Sequence, residues 1–234
     1  MEENSGQFAR TARLLGADAV GRLQKSCVAV FGLGGVGSFA AEALARAGVG
    51  RLILVDCDTV SESNLNRQLI ALHSTLGLAK ASVMAARVLD IHPAAVVTPY
   101  VLRYGSDTEA AVDLSGCDYI IDAVDSVTAK LMLVERAKRE GIPIICCMGT
   151  GNKLDAAAFR VTDIAKTDVC PLARVMRREL KARNITDVKV VYSTEPPTTP
   201  EGGGRLPASV PFVPPVAGML LAGEAIKHIA GLKK

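Results

Sequence analysis

No C-x-x-C pair occurs in this chain, although it carries six cysteines: Cys27, Cys57, Cys117, Cys146, Cys147 and Cys170. Without such pairs, a structural zinc site built of paired cysteines is not expected. Cys27, Cys117 and Cys146 lie in or beside apolar, strand-like runs, where a small buried thiol is the ordinary finding. A chain of 234 residues with reduced-looking thiols reads as cytosolic, hence a cytoplasmic protein. Charge of one sign is also scarce. The net charge is +3, so composition alone gives no argument for nucleic acid. The polar N-terminus lacks the apolar core of a signal peptide. An uninterrupted apolar run of about 20 residues, as a membrane span needs, is missing too. Val213 to Leu232 comes nearest, but Pro214 and Pro215 break its start and Glu224, Lys227 and His228 its second half. It reads as a buried or dimer-interface helix. No internal repeat is visible, and 49% hydrophobic residues argue against disorder over most of the chain.

What is present is a rhythm of short apolar runs and amphipathic segments. Strands are expected at Cys27–Gly32, Leu52–Asp56, Val96–Leu102, Tyr119–Ala123 and Ile142–Cys147. Helices are expected at Gly35–Ala47, from about Leu78 to Ile91, and at Val127–Glu140. The second stops before His92-Pro93, as a residue preceding proline favours. Strands alternating with helices imply a Rossmann-like, doubly wound, mostly parallel sheet covered on both faces. After about residue 150 the rhythm changes. Ala156–Ile164 and Val188–Ser193 read as strands flanking one helix, Pro171–Arg183. Thr194–Pro215, with Gly202-Gly203-Gly204, reads as a long loop, and a last helix begins near Val216. The expectation is one domain over 1–234. Its nucleotide-binding half is about 1–150. An extension with antiparallel strands, about 151–234, holds a crossover segment, the long loop and the last helix.

The chemistry concentrates at strand ends. Gly32, Gly34 and Gly37 form G-x-G-x-x-G after a strand and at the opening of a helix. That context lets the backbone approach phosphates, with the helix N-terminus offering free N–H groups. Asp56 ends the next strand, where a carboxylate can accept from ribose hydroxyls. The residues that follow separate ATP from a hydride-transferring dinucleotide. Asn64, Arg67 and Gln68 lie one turn apart if their segment is helical, and so share a face. Arg67 is a forked donor suited to phosphate, and Lys80 opens the next helix. Two cations plus amides suit a triphosphate whose charge must be held during reaction. The fourth strand ends in Asp122-Ala123-Val124-Asp125, where aspartates beside a polyphosphate are natural Mg²⁺ ligands. Asp125 is read as a ligand rather than a cap for the following helix, Asp122 as either ligand or structural residue. Asp58 receives no role.

Taken together, G-x-G-G-x-G at Gly32 to Gly37, D-x-D-x-V from Asp56, S-N-L-N-R-Q from Ser63, G-x-x-K from Gly77 and D-A-x-D from Asp122 resemble the ubiquitin-activating-enzyme-like superfamily of ATP-dependent adenylating enzymes. The resemblance implies that Gly32, Gly34, Gly35, Gly37 and Asp56 hold ATP. It implies that Asn64, Arg67, Gln68 and Lys80 hold its phosphates and that Asp125 coordinates Mg²⁺. It also implies an arginine near the N-terminus that reaches a neighbouring subunit's site in a homodimer, for which Arg10 is the candidate. Arg67, Lys80, Asp125 and Arg10 would then be the catalytic set. A monovalent cation near the nucleotide is left open.

Within the superfamily, sulfur-carrier adenylyltransferases usually carry the zinc C-x-x-C pairs that this chain lacks. The segments Asp168 to Leu180, Tyr192 to Glu195 and Phe212 to Gly218 look instead like the tRNA threonylcarbamoyladenosine dehydratases. That branch adenylates the carboxylate of the threonylcarbamoyl group on adenosine 37, and ring closure expels AMP. The implied partner is tRNA carrying that group. Activation of a sulfur-carrier C-terminus is the alternative function, with a sulfur-transfer protein as its candidate partner. An NAD-binding or non-catalytic module is the third, disfavoured by Arg67, Lys80 and Asp125. Arg174, Arg177, Arg178 and Lys181 share one side of a helix. They read either as a solvated basic face or, with the resemblance, as a patch for tRNA phosphates. Cys170, on a loop before that helix, is read as an incidental thiol, with acyl or persulfide chemistry as the alternative.

Overall fold

The structure is a computed structural model that describes residues 6–202 and 207–232. Gly203 and Gly204 of the expected long loop lie outside them. In chain order the elements are Ala9–Leu15 (α1), Ala17–Lys25 (α2), Cys27–Phe31 (β1), Gly37–Ala47 (α3), Arg51–Val55 (β2), Lys80–Ile91 (α4) and Val96–Tyr100 (β3). Tyr119–Asp122 (β4), Val127–Glu140 (α5), Ile144–Cys147 (β5), Phe159–Asp163 (β6), Pro171–Ala182 (α6), Lys189–Ser193 (β7) and Pro214–Ile229 (α7) follow.

The strands form one seven-stranded sheet in the order β3-β2-β1-β4-β5-β7-β6. Every neighbouring pair is parallel except β6 and β7, which run antiparallel. Every residue of β1, β4 and β5 is buried. That matches their composition, apolar except for Asp122 at the end of β4, because a central parallel strand is covered on both faces. β3 lies at the sheet's edge, where Pro99 costs no ladder hydrogen bond that a second neighbour would need. The chain winds from β1 outward through β2 and β3, then returns to place β4 on the other side of β1. This reversal is the switch point at which open α/β sheets leave a crevice beyond the strand ends.

Two apolar layers cover the sheet. Leu44 of α3, Met84 of α4 and Leu221 of α7 belong to one. Leu133 of α5 and Met176 and Leu180 of α6 belong to the other. α7 buries Ala217, Leu221 and Ala222 in its own chain, so it is a core helix. No helix among the described residues is long and apolar enough to cross a membrane.

The extension joins the sheet through the parallel pairing of β5 with β7. Several boundaries differ from the sequence reading. β6 begins at Phe159 because Ala156–Ala158 close a 3₁₀ turn whose start is held by Asp155, accepting from the Ala157 N–H. α4 begins at Lys80, since Val60 N–H donates to the Leu78 carbonyl and Thr59 bridges Ala79 in extended form. α7 begins at Pro214 rather than near Val216. Proline fits a first helical turn, where no N–H is needed. α1 and α2, absent from the sequence reading, precede β1. α2 buries Ala19, Val20 and Leu23.

Candidate active site

A cleft of about 770 Å³ opens beyond the carboxyl ends of β1, β2, β4 and β5. The glycine turn forms its floor, and the four glycines serve different purposes. Gly32 has φ +83, and a Cβ there would lie 2.6 Å from the Ala123 carbonyl oxygen. A Cβ on Gly37 would lie 1.7 Å from the Gly32 carbonyl oxygen. Both are demanded by the turn itself, and Gly37 does not line the cleft. Gly34 and Gly35 do line it. A Cβ on Gly34 would meet the Gln68 amide at an ordinary 3.6 Å, so its bareness serves space in the cleft rather than the fold.

Asp56 ties two loops together. Its Oδ2 accepts from the Leu33 N–H at 2.6 Å and its Oδ1 from the Asp58 N–H at 2.8 Å. The glycine turn is thereby locked to the end of β2, and each oxygen keeps a further lone pair for a hydroxyl. Asp58 accepts from Lys80 Nζ at 3.0 Å. Burial raises its carboxyl, but the Lys80 ammonium more than offsets this and holds it below the usual range. The second carboxylate of the D-x-D pattern is thus the counter-ion that allows Lys80 to be buried at the cleft wall.

Asn64, Arg67 and Gln68 come together in the cleft, though not on a regular helix. Glu62–Asn64 form a 3₁₀ turn, and the Arg67 and Gln68 N–H groups both donate to the Asn64 carbonyl, which produces the shared face. The Asn64 side chain accepts from the Ser61 N–H at 3.2 Å and closes the turn. Arg67 donates to the Ser63 carbonyl at 2.9 Å and to Asn66 Oδ1 at 2.8 Å. Both acceptors are neutral, so its charge stays available. Gln68 is buried, and its Oε1 has no hydrogen-bond partner. Buried polar atoms are rarely left so, but this one is an acceptor and would be satisfied by a donor, not by a phosphate oxygen. The donors that fit a polyphosphate nucleotide are Arg67 and Lys80, which both line the cleft.

The two aspartates after β4 separate cleanly. Asp122 is fully buried, with Lys130 Nζ donating to its Oδ2 at 3.0 Å and the Val124 N–H to its Oδ1 at 3.1 Å. It is a structural ion-pair member and offers nothing to a metal. Asp125 is exposed at the cleft and has no hydrogen-bond or ion-pair partner among the described residues. Capping of α5 falls to Ser126, whose hydroxyl accepts from the Ala129 N–H at 3.4 Å. A single free carboxylate beside a phosphate cradle fits Mg²⁺, which keeps most of its waters.

Other candidates lie elsewhere. Arg10 is exposed on α1 and does not line the cleft. Phe8, just before α1, packs edge-on against His92, and its ring sits 3.2 Å from where a Gly48 Cβ would be. Gly48 and His92 follow the ends of α3 and α4, which run back to the amino ends of the strands, so α1 starts at the opposite end of the strands from the cleft. Of the α6 arginines, Arg177 donates to the Thr167 carbonyl at 2.6 Å and to its hydroxyl at 2.7 Å. Arg178 pairs with Glu179 at 2.8 Å. Arg174 has no partner among the described residues. None of the three lines the cleft. Cys170 does line it, but its residue is buried as the cap position of α6.

Sequence reasoning passed over two cleft cations, Arg103 after β3 and Lys153 after β5. Lys153 comes two residues after Gly149-Thr150-Gly151, and a lysine so near a glycine-rich strand end was a signal within reach.

The profile of the ThiF family matches residues 8–234. A tRNA threonylcarbamoyladenosine dehydratase of Bacillus subtilis (strain 168) is 40% identical, with 95% of this chain and 94% of that protein covered. A molybdopterin-synthase adenylyltransferase of Escherichia coli (strain K12) is 31% identical over 97% of this chain and 83% of its own length. The crystal structure of E. coli tRNA N6-threonylcarbamoyladenosine dehydratase in complex with ATP superposes with a TM-score of 0.89 at 37% identity, covering 96% of this chain and 94% of that one. The chain belongs to the ThiF family.

Proposed function

We propose that this protein is an ATP-dependent tRNA-modifying enzyme. It adenylates the carboxylate of the threonylcarbamoyl group on adenosine 37 of tRNA and then closes the ring with release of AMP. The observation that carries this reading is the 40% identity with the B. subtilis dehydratase along nearly the whole of both chains. The cleft supplies the matching chemistry.

A carboxylate is a poor electrophile because its leaving group would be oxide. Attack of a carboxylate oxygen on the α-phosphorus of ATP breaks the bond to diphosphate and leaves an acyl-adenylate. An intramolecular nucleophile of the threonylcarbamoyl group then displaces AMP, and the net change is loss of one water. The protein's share is alignment and charge stabilisation rather than covalent catalysis. Gly34 and Gly35 give the phosphates backbone approach, Asp56 takes ribose hydroxyls, and Asn64 and Gln68 add amide contacts. Arg67 and Lys80 hold the phosphate charge. Asp125 would hold Mg²⁺, which when bound neutralises phosphate charge. No enzyme thiol is required, consistent with the enclosed position of Cys170.

The whole chain acts in this reading as one adenylating domain, without zinc. It works as a homodimer in the cytoplasm. Arg10, away from the cleft of its own chain, would in this reading serve a partner's cleft. Arg174 and Arg178 on α6 offer phosphate contacts to tRNA, and Arg177, bonded to Thr167, joins them less freely. A monovalent cation at the cleft is a further part of the reading, and a sulfur-transfer partner belongs to the carrier-activation alternative.

The test is incubation with ATP, Mg²⁺ and tRNA carrying threonylcarbamoyladenosine, followed by mass spectrometry of the nucleosides. Loss of one water from that nucleoside, with equimolar AMP and diphosphate, is expected. An unchanged nucleoside, together with an acyl-adenylate formed on a carrier protein ending in Gly-Gly, would replace this reading with carrier activation.

A further inference from the structure

Three lysines are buried among the described residues: Lys80, Lys130 and Lys153. Two have counter-ions, Asp58 at 3.0 Å from Lys80 and Asp122 at 3.0 Å from Lys130. Lys153 is 4% exposed and lines the cleft, yet no carboxylate lies within ion-pair distance of it among the described residues. Its Nζ donates to one neutral acceptor, the Glu195 carbonyl. An ammonium has three N–H donors. A buried cation with a neutral partner carries an uncompensated desolvation cost, and such a cost is tolerated where an anion is to be bound.

The surroundings keep acids away from this ammonium. Glu195, whose carbonyl takes the ammonium, has its carboxylate bound elsewhere on the same turn. Oε1 accepts from the Leu154 N–H at 2.9 Å and Oε2 from the Asp155 N–H at 3.0 Å. The turn is also fixed from its other side. Asn152 sits at φ 59, its Oδ1 accepts from the Ala208 N–H at 2.7 Å, and its carbonyl accepts from the Thr198 N–H at 2.8 Å. Lys153 is thus a positive charge held by packed, hydrogen-bonded backbone on both flanks, which is the arrangement a preformed anion receptor requires.

Its place in the sheet says which anion. Asp56 follows β2, the glycine turn follows β1, Asp125 follows β4 and Lys153 follows β5. In the sheet order these strands run β2-β1-β4-β5. A nucleotide with its ribose at Asp56 and its phosphates over the glycine turn leaves the Lys153 end of the cleft to the second reactant. That reactant must bring a carboxylate against the already anionic α-phosphate. Arg67 and Lys80 stand with the phosphates, and Lys80 is half-spent on Asp58.

We propose that Lys153 receives the carboxylate of the second reactant and presents it to the α-phosphate, keeping its own proton throughout. The carboxylate oxygen forms the new P–O bond, diphosphate leaves, and no proton is transferred. The inference rests on the proposed tRNA substrate.

The test measures binding of tRNA with and without the threonylcarbamoyl group on adenosine 37, in the presence of a non-hydrolysable ATP analogue. The wild type should prefer the modified tRNA by roughly 10- to 100-fold, the range of a charge-assisted contact. Lys153→Gln keeps a donor for the Glu195 carbonyl and removes the charge. It should abolish the preference while leaving the affinity for the analogue and for unmodified tRNA within about twofold, and Lys153→Arg should restore part of the preference. Retention of the preference in Lys153→Gln would overturn the proposal. So would a loss of analogue affinity by the same factor, which would place Lys153 with the phosphates, or failure of both variants to fold, which would make it a strut for Glu195. A wild type that neither prefers nor converts modified tRNA would refute the substrate reading itself, a result distinct from any of these.

Discussion

At the scale of single residues, neighbours decide which of two similar side chains is available for chemistry. Asp122 and Asp125 are three positions apart at the same strand end. Asp122 faces Lys130 in the interior and is committed there, whereas Asp125 is free because Ser126 takes the capping role. The sequence makes both plausible ligands. The partner that removes Asp122 sits eight residues away on a helix, and only the packing of α5 on the sheet brings it close. The glycines divide in the same way. The motif shows four, and only the built turn tells Gly37, blocked by the Gly32 carbonyl, from Gly34, which faces open cleft. Gly37→Ala should therefore lower unfolding stability by about 3 kcal/mol or more, read from urea denaturation, because backbone must shift to admit the methyl. Gly34→Ala should leave stability within about 0.5 kcal/mol and weaken ATP binding, read by calorimetry.

At the scale of elements, helix faces are joined by charge as well as by apolar area. Glu42 of α3 accepts from Arg87 of α4 at 2.6 and 3.1 Å and from Arg46 at 2.7 Å. Burial raises the Glu42 carboxyl, yet the two arginines outweigh it and hold it below the ordinary value of 4.5. A carboxyl with a depressed folded value stabilises the fold fully above its unfolded value and loses that contribution as the pH falls through the folded one. Glu42→Gln should thus cost about 1–3 kcal/mol near neutrality and flatten the loss of stability below about pH 4.5, read from melting temperature against pH. The elements themselves were largely legible. Apolar runs gave the seven strands, and the change of rhythm near residue 150 gave the antiparallel pair. The ends were not, because 3₁₀ turns such as Ala156–Ala158 and extended residues such as Leu78 and Ala79 take their form from partners distant in the chain. Nor were α1 and α2: the short α2 shows its buried face only once α7 lies against it, and α1 buries nothing and leans on α2.

At the scale of the whole molecule, alternation of strands and helices predicts parallel pairing and a reversal of strand order. The cleft then follows from where the reversal falls. What alternation could not supply is the part of the cleft wall built by the extension, where Asn152 holds Thr198 and Ala208 and thereby brings Pro207 and Ser209 to the cleft. The C-terminal helix closes the other side. A Cβ on Gly218 would lie 2.3 Å from the Val36 carbonyl oxygen, and Pro214 sits 3.2 Å from where a Gly35 Cβ would be. The glycine turn is thus laid against α7, where Gly218 lets the Val36 backbone approach and the Pro214 ring backs Gly35. Loading the cleft should register as slower deuterium uptake at the amides of Ala217 to Ala222 when an ATP analogue is added, measured by hydrogen exchange. Unaltered uptake there would mean the two move independently. The end of the chain then works as a built-in gauge of whether the cleft is filled.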